Sequence, residues 1–235
     1  MVDKYCKLFI FCLIISIGIY YTFPHHLTTK EYQAILKSIG VTLLLTAGGV
    51  FIGTILGFIL AFLRMINNTI LNFIIDEYID ILRGTPMVVQ LLIFAYVIFA
   101  TLSDNFYAAL FALGLNSSAY IAEIVRAGIQ SVDKGQMEAG RSMGLSYSQT
   151  MRQIILPQAI KNILPSLANE FIALFKETSI VGYISVNDLT SQSKILQAAI
   201  YNPTPIIFAA VIYYTLVKIF SVCTKLLERF LHKND

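Results

Sequence analysis

The sequence has 235 residues, of which 57% are apolar and only 13% charged, and soluble domains carry about twice that charged share. A single small soluble core could not hide several long apolar segments, yet Ile39 to Leu63 contains no ionisable side chain at all, and a bilayer core needs about 20 such residues in helix. The net charge of +3 is modest, no nucleic acid partner is expected, and the composition predicts an all-α integral membrane protein.

Along the chain, Lys4 and Lys7 precede the apolar run Leu8 to Tyr21. That is the shape of a signal peptide. The residues that follow, Thr22-Phe23-Pro24-His25, offer no small-x-small cleavage site, so an uncleaved anchor helix is expected. His25-His26 reads as a solvated loop pair. Cys6 and Cys12 sit in or beside the apolar run and read as small hydrophobes. No metal is expected.

A second span is predicted from Ala34 to Leu63. In it Gly49, Gly53 and Gly57 recur every fourth residue, a spacing that lets helices approach closely in lipid. Asn67 to Arg83 mixes Asp76, Glu77, Asp80 and Arg83 with apolar residues and reads as an interfacial amphipathic helix. Gly84-Thr85-Pro86 breaks it. Met87 to Leu102 is read as the third span and Phe106 to Ala127 as the fourth. Gly128 to Gln158 is polar and basic and lies outside the membrane. The fifth span, Ala159 to Tyr183, is unusually polar, with Asn169, Glu170, Lys176 and Glu177. Ile184 to Pro203 reads as polar loop or short helix, and Pro205 to Leu227 as the sixth span.

Basic residues orient the chain. With the N-terminus in the cytoplasm, Lys4, Lys7, Arg64, Arg83, Lys134, Arg141, Arg152, Lys161, Lys225, Arg229 and Lys233 all fall on the cytoplasmic side. The outer loops then keep Lys30 and Lys194, with Lys37 near the boundary. Six spans put both termini in the cytoplasm. The expected organisation is an anchor helix and outer loop over 1–33, a transmembrane domain over 34–230 and a cytoplasmic tail over 231–235.

The loop after the fourth span carries Glu138-Ala139-Gly140, then Gly144, then Ile154, and Leu156-Pro157. It resembles the EAA signature of ABC importer permeases, with Gly140 in place of the second alanine. A short helix before Gly144 and a second one from Tyr147 to Ile154 would make a projecting knob, with glycine at the turn. The stretches from Leu82 to Gln90, Ser118 to Val132, Lys134 to Gln136 and Asn169 to Ser179 narrow the resemblance to permeases of the polar amino acid uptake family. It covers Lys37 to Glu228; the first 30 residues lie outside it.

The resemblance implies the type I importer permease fold in the plasma or inner membrane of a prokaryote. It also implies a permease subunit, not an enzyme, with no cofactor of its own. ATP-Mg would be bound by a dimer of ABC ATP-binding subunits gripping Glu138, Ala139, Gly140, Gly144, Ile154, Leu156 and Pro157. A second permease chain, identical or homologous, would complete the path. An extracytoplasmic amino-acid-binding protein would deliver the substrate, and lipid would surround the spans. Gly135 to Ser142 misses a phosphate-binding loop by one residue, Arg141 standing where lysine belongs, and no strand precedes it.

Ionisable groups inside spans face a cavity or a partner. Glu123 and Glu170 therefore either line the substrate path or hold helices together. Gln90 and Asn169 either meet substrate or bond between helices. Arg126 reads as an interfacial anchor. A self-sufficient secondary transporter or channel is the competing function. It has no need of an EAA loop, and the internal repeats common in that class are not visible here.

Overall fold

The computed structural model describes residues 2–23, 27–66, 68–231 and 233; the His25-His26 pair lies outside them. Ten helices follow in chain order: α1 Val2–Thr22, α2 Thr29–Arg64, α3 Thr69–Gly84, α4 Met87–Ile93, α5 Asn105–Gln130, α6 Lys134–Ser142, α7 Tyr147–Thr150, α8 Leu156–Glu177, α9 Leu189–Ile200 and α10 Thr204–Leu231. Among the described residues there is no strand.

Helix α2 has 36 residues, about 54 Å of rod. It begins a turn before the apolar run because Thr28 and Glu31 form a reciprocal capping box, which satisfies otherwise orphaned backbone donors. One face of α2 meets α5 and the opposite face is bare. Leu44, Phe51 and Ile59 are each about half exposed or more, as expected of a surface covered by lipid.

Helix α5 is the hub. Small residues bury it on nearly every side: Ala108, Ala109, Ala112, Gly114, Ser117, Ser118, Ala119 and Ala122. The glycines of α2 face it. A Cβ at Gly53 would stand 2.8 Å from the Ser117 Cβ and 3.1 Å from the Gly114 carbonyl oxygen. One at Gly57 would stand 2.9 Å from the Ser118 carbonyl oxygen. Without a hydrophobic drive between helices in lipid, this close backbone contact supplies the attraction. Two apolar clusters flank the seam. One gathers Leu45, Leu91, Leu113 and Leu174. The other gathers Ala61, Ile121, Val125, Ile155 and Ile163.

Helices α3 and α4 are joined at Gly84-Thr85-Pro86 and bent by 106°. The amphipathic helix and the third span of the sequence reading are thus one broken unit. Asn68 caps α3, accepting from Ile70 and Leu71 N–H. Residues Phe94–Ile98 widen the end of α4 into a π turn, so its regular helix stops well short of Leu102. The segment from Ile184 to Pro203 holds α9, capped by the wholly buried Asp188.

By length and apolarity α2, α5 and α10 can each cross a bilayer, and α3 with α4 qualify as a pair. The described apolar part of α1, Phe9–Thr22, is shorter, and α8 carries Lys161, Glu170, Lys176 and Glu177. The count of six spans therefore does not follow from length and composition. Helix α1 lies against α10, where a Cβ at Gly18 would meet Val211 at 3.1 Å.

Gly53→Ala is expected to force α2 and α5 apart and cost about 1–3 kcal/mol. Gly40, on the same helix, has nothing within 4 Å of an added Cβ, so Gly40→Ala should be neutral or stabilising, the latter by up to about 1 kcal/mol. Thermal unfolding of the detergent-solubilised protein distinguishes the two; equal effects would contradict the close-contact account.

Candidate functional site

The hairpin between α5 and α8 is built by local rules. Asp133 caps α6, accepting from the Gly135 N–H at 2.6 Å. The helix ends in a turn whose two bonds run from Leu145 N–H to the Gly140 carbonyl at 3.2 Å and from Gly144 N–H to the Arg141 carbonyl at 3.1 Å. That is the Schellman pattern, which needs a left-handed residue after the cap; Gly144 supplies it with φ of 87°. Ser146 then opens α7 in a capping box with Gln149. The Arg141 guanidinium donates to the Leu145 carbonyl at 3.0 Å and closes the turn from outside.

Gly140 explains the departure from the alanine pattern. A Cβ there would stand 2.5 Å from Thr150 Cγ2 and 3.1 Å from Ile154 Cδ1. Glycine lets α6 lie directly on the second leg. Gly140 is buried, whereas Glu138, Ala139 and Gly144 are exposed. Ile154 packs into the lower apolar cluster.

The second leg does not stop at Ile154. It passes through a π turn, Met151–Ile155, straight into α8. Pro157 has no N–H and its ring crowds the carbonyl four residues back. The Leu156 N–H reaches one residue further than usual, to the Met151 carbonyl. The wider turn makes room for the ring, so Pro157 sits inside a continuous rod, exposed, with Leu156 half-buried beside it. At the hairpin tip Met143 is 80% exposed and Tyr147 57%.

The polar residues of the spans separate into three groups. Gln90 is 4% exposed and fills the break between α3 and α4. Its amide N–H groups donate to the Leu82 carbonyl at 2.7 Å and to Thr85 Oγ1 at 2.8 Å. Its oxygen accepts from Asn116 Nδ2 at 3.1 Å. These bonds brace helices.

Glu123 belongs to an ionic cluster. Arg126, one turn on, grips both of its carboxylate oxygens. Arg64 of α2 lies 3.6 Å away and pairs more closely with Asp76 of α3, at 2.7 Å. Arg126, expected as an anchor at the membrane boundary, is thus half of an ion pair.

Glu170 stands apart from these. It is half-buried on α8 and accepts from Ser117 Oγ at 3.0 Å. Its second oxygen has no hydrogen-bond donor among the described residues. Neighbouring Asn169 is exposed. Ser117 has room only because Gly53 lacks a Cβ, which would come within 2.9 Å of the hydroxyl oxygen.

Sequence reasoning passed over Asn116, Ser117 and Asp188. Asparagine and serine in a helix of mostly small residues carry no periodic signal. Asp188 accepts from Thr190 N–H, Ser191 N–H and Ser191 Oγ and from Tyr213 of α10 at 3.3 Å. The Asp188-Leu189-Thr190-Ser191 run could have flagged this cap.

Comparison with known proteins places this geometry in a family. The family described as binding-protein-dependent transport system inner membrane component matches residues 53–233, which include the hairpin and the three polar groups around Gln90, Glu123 and Glu170. The arginine transport system permease protein ArtQ of Bacillus subtilis (strain 168) is 41% identical over 212 residues, covering 88% of this chain and 97% of its own. A putative glutamine transport system permease protein GlnP of Rickettsia typhi is 38% identical over 199 residues, covering 83% and 91%. A crystal structure of an amino acid ABC transporter with histidines superposes with a TM-score of 0.81 at 43% identity, over 85% of this chain and 95% of that one.

Gly144→Val forces a β-branched side chain into left-handed backbone, at a cost of about 1–2 kcal/mol. The Leu145 amide, bonded to the Gly140 carbonyl, should then exchange its hydrogen about tenfold faster. Hydrogen exchange read by mass spectrometry checks this; unchanged protection would mean that the turn does not depend on glycine.

Proposed function

The chain belongs to the family of inner membrane components of binding-protein-dependent transport systems, and from that premise we infer that it is the permease subunit of an ATP-driven ABC importer of amino acids. The relatives named for arginine and glutamine transport support polar or charged amino acids as the cargo class. The observation that carries the ATP-driven reading is the hairpin. It is a self-capped helix–turn–helix with Met143 and Tyr147 bare at its tip. Exposed apolar side chains on a rigid knob are what a groove on another protein can take.

In this reading a dimer of ATP-binding subunits hydrolyses ATP-Mg and holds the hairpins, at Glu138 through Gly144, of two permease chains. Ile154, Leu156 and Pro157 shape the second leg, which continues into α8. The permease chain itself binds no nucleotide. A binding protein delivers the amino acid on the outer side. The basic residues of the hairpin support a cytoplasmic location for it, with both termini on the same side and the domain spanning 34–230. Glu170 lines the path, with its half-buried carboxylate, and exposed Asn169 stands beside it. Gln90 and Glu123 shape that path from behind, through the helices they hold.

Glu138→Lys replaces an exposed acid with a base at the docking face and leaves the permease fold untouched. It should abolish co-purification of the ATP-binding subunit while the permease stays in the membrane. Full retention of the subunit would refute the docking assignment.

Glu170→Gln keeps the shape and the bond from Ser117 but removes the charge. Uptake of radiolabelled arginine should fall at least about tenfold, while the assembled complex keeps its basal ATP hydrolysis. Unaltered uptake would remove Glu170 from the path.

A further inference from the structure

Helix α3 is fastened to α5 at three levels. Near the break, Asn116 Nδ2 donates to the Leu82 carbonyl at 3.2 Å. In the middle, the Tyr78 hydroxyl and Ser118 Oγ are 2.7 Å apart. At the hairpin end the link is ionic: Asp76 to Arg64, Arg64 to Glu123, and Glu123 to Arg126. The ionic link joins α2, α3 and α5, the same three helices that share the apolar cluster of Leu60, Leu63, Ile75, Ile79, Ala119 and Ala122.

Its position sets it apart. Arg126 donates onward to Gln130 Oε1, the last residue of α5, at 2.7 Å. From there the chain reaches Asp133, the cap of α6, in three residues. Asn162 of α8 donates to Ser131 Oγ in that short connection at 2.8 Å. A displacement of the hairpin therefore arrives at the end of α5 with little slack, through this connection and through the apolar packing of Val125, Ile129 and Val132 on Ile155 and Ile163, and the ionic cluster lies one turn further along α5. At the far end of α3 lies the break at Gly84-Thr85-Pro86.

Static stability does not account for the cluster. The four side chains are between 27% and 44% exposed, and ion pairs that wet add little to folding. Ion pairs do fix orientation, because each guanidinium presents its donors in a rigid fork. Arg126 holds Glu123 in that way, and Arg64 carries the charge contact from Glu123 across to Asp76, so the four groups mark one mutual placement of three helices.

We infer that the Arg64–Asp76–Glu123–Arg126 cluster is the coupling device that carries hairpin movement to the break between α3 and α4. Its members are positioning residues: they touch neither nucleotide nor substrate. The inference rests on the ATP-driven reading above.

The test uses the complete complex with its ATP-binding subunits in proteoliposomes, the binding protein, and radiolabelled arginine and glutamine as probes. It reads ATP hydrolysed per amino acid imported. Asp76→Asn opens the Arg64 link with minimal change of shape. The ratio should rise by about 3- to 10-fold, with hydrolysis persisting when binding protein is omitted. The charge swap Arg64→Asp with Asp76→Arg should bring the ratio back toward the wild-type value. An unchanged ratio in Asp76→Asn overturns the inference. So does loss of the assembled complex in that variant, or a swap that restores nothing, since either assigns the cluster to bracing alone. A wild-type complex that imports without hydrolysing ATP would instead sink the ATP-driven reading, and this inference with it.

Discussion

The near-contact of the α2 and α5 backbones is the constraint on which the rest of the molecule depends. Helices in lipid gain nothing from hiding apolar surface from one another. They stay together where their main chains come close enough for dispersion and polar contacts to add up. Gly53 and Gly57 on one helix and Gly114 and Ser117 on the other permit that. Once α5 is fixed, α3 hangs on it by polar links and α8 packs along it. At Gly128 a Cβ would meet the Ile163 side chain well inside contact distance. The seam also creates the most distinctive polar feature of the spans. The hydroxyl that bonds Glu170 sits in space that any other residue at position 53 would fill.

Much of this was legible in the residues. The four-residue glycine period announced a close helix face. The hairpin was readable because its rules are local. Caps, a turn glycine and a proline act over a few residues and leave their mark in order along the chain. The break at Gly84-Thr85-Pro86 was likewise plain as an interruption.

What stayed hidden was set by partners distant in sequence. The sequence separates the interfacial helix from the third span because their joint bend is held by Gln90 and Asn116, and an amide in an apolar run does not reveal its partner. The second hairpin helix is expected to end at Ile154, and a π turn carries it past Pro157 into α8 instead. Arg64 read as the end of a span and Asp76 as part of an amphipathic pattern. Only the packing of three helices shows that they meet. Length and composition count three or four crossings because α8, expected as the fifth span, carries Lys161, Glu170, Lys176 and Glu177, and the tertiary structure half-buries Glu170 against Ser117.

The seam between Gly140 and Thr150 has a consequence for association. Both legs of the hairpin are capped, the turn is closed by its own bonds, and the Thr150 side chain packs directly on the Gly140 backbone. The hairpin therefore keeps one shape by its own bonds, with no partner needed to hold it. A flexible loop would lose conformational entropy on docking, at about 1–2 kcal/mol for each residue fixed. A preorganised one keeps that free energy for affinity. A hairpin of this kind can be recognised through a small contact area, and nothing in it has to refold when a contact is made or broken.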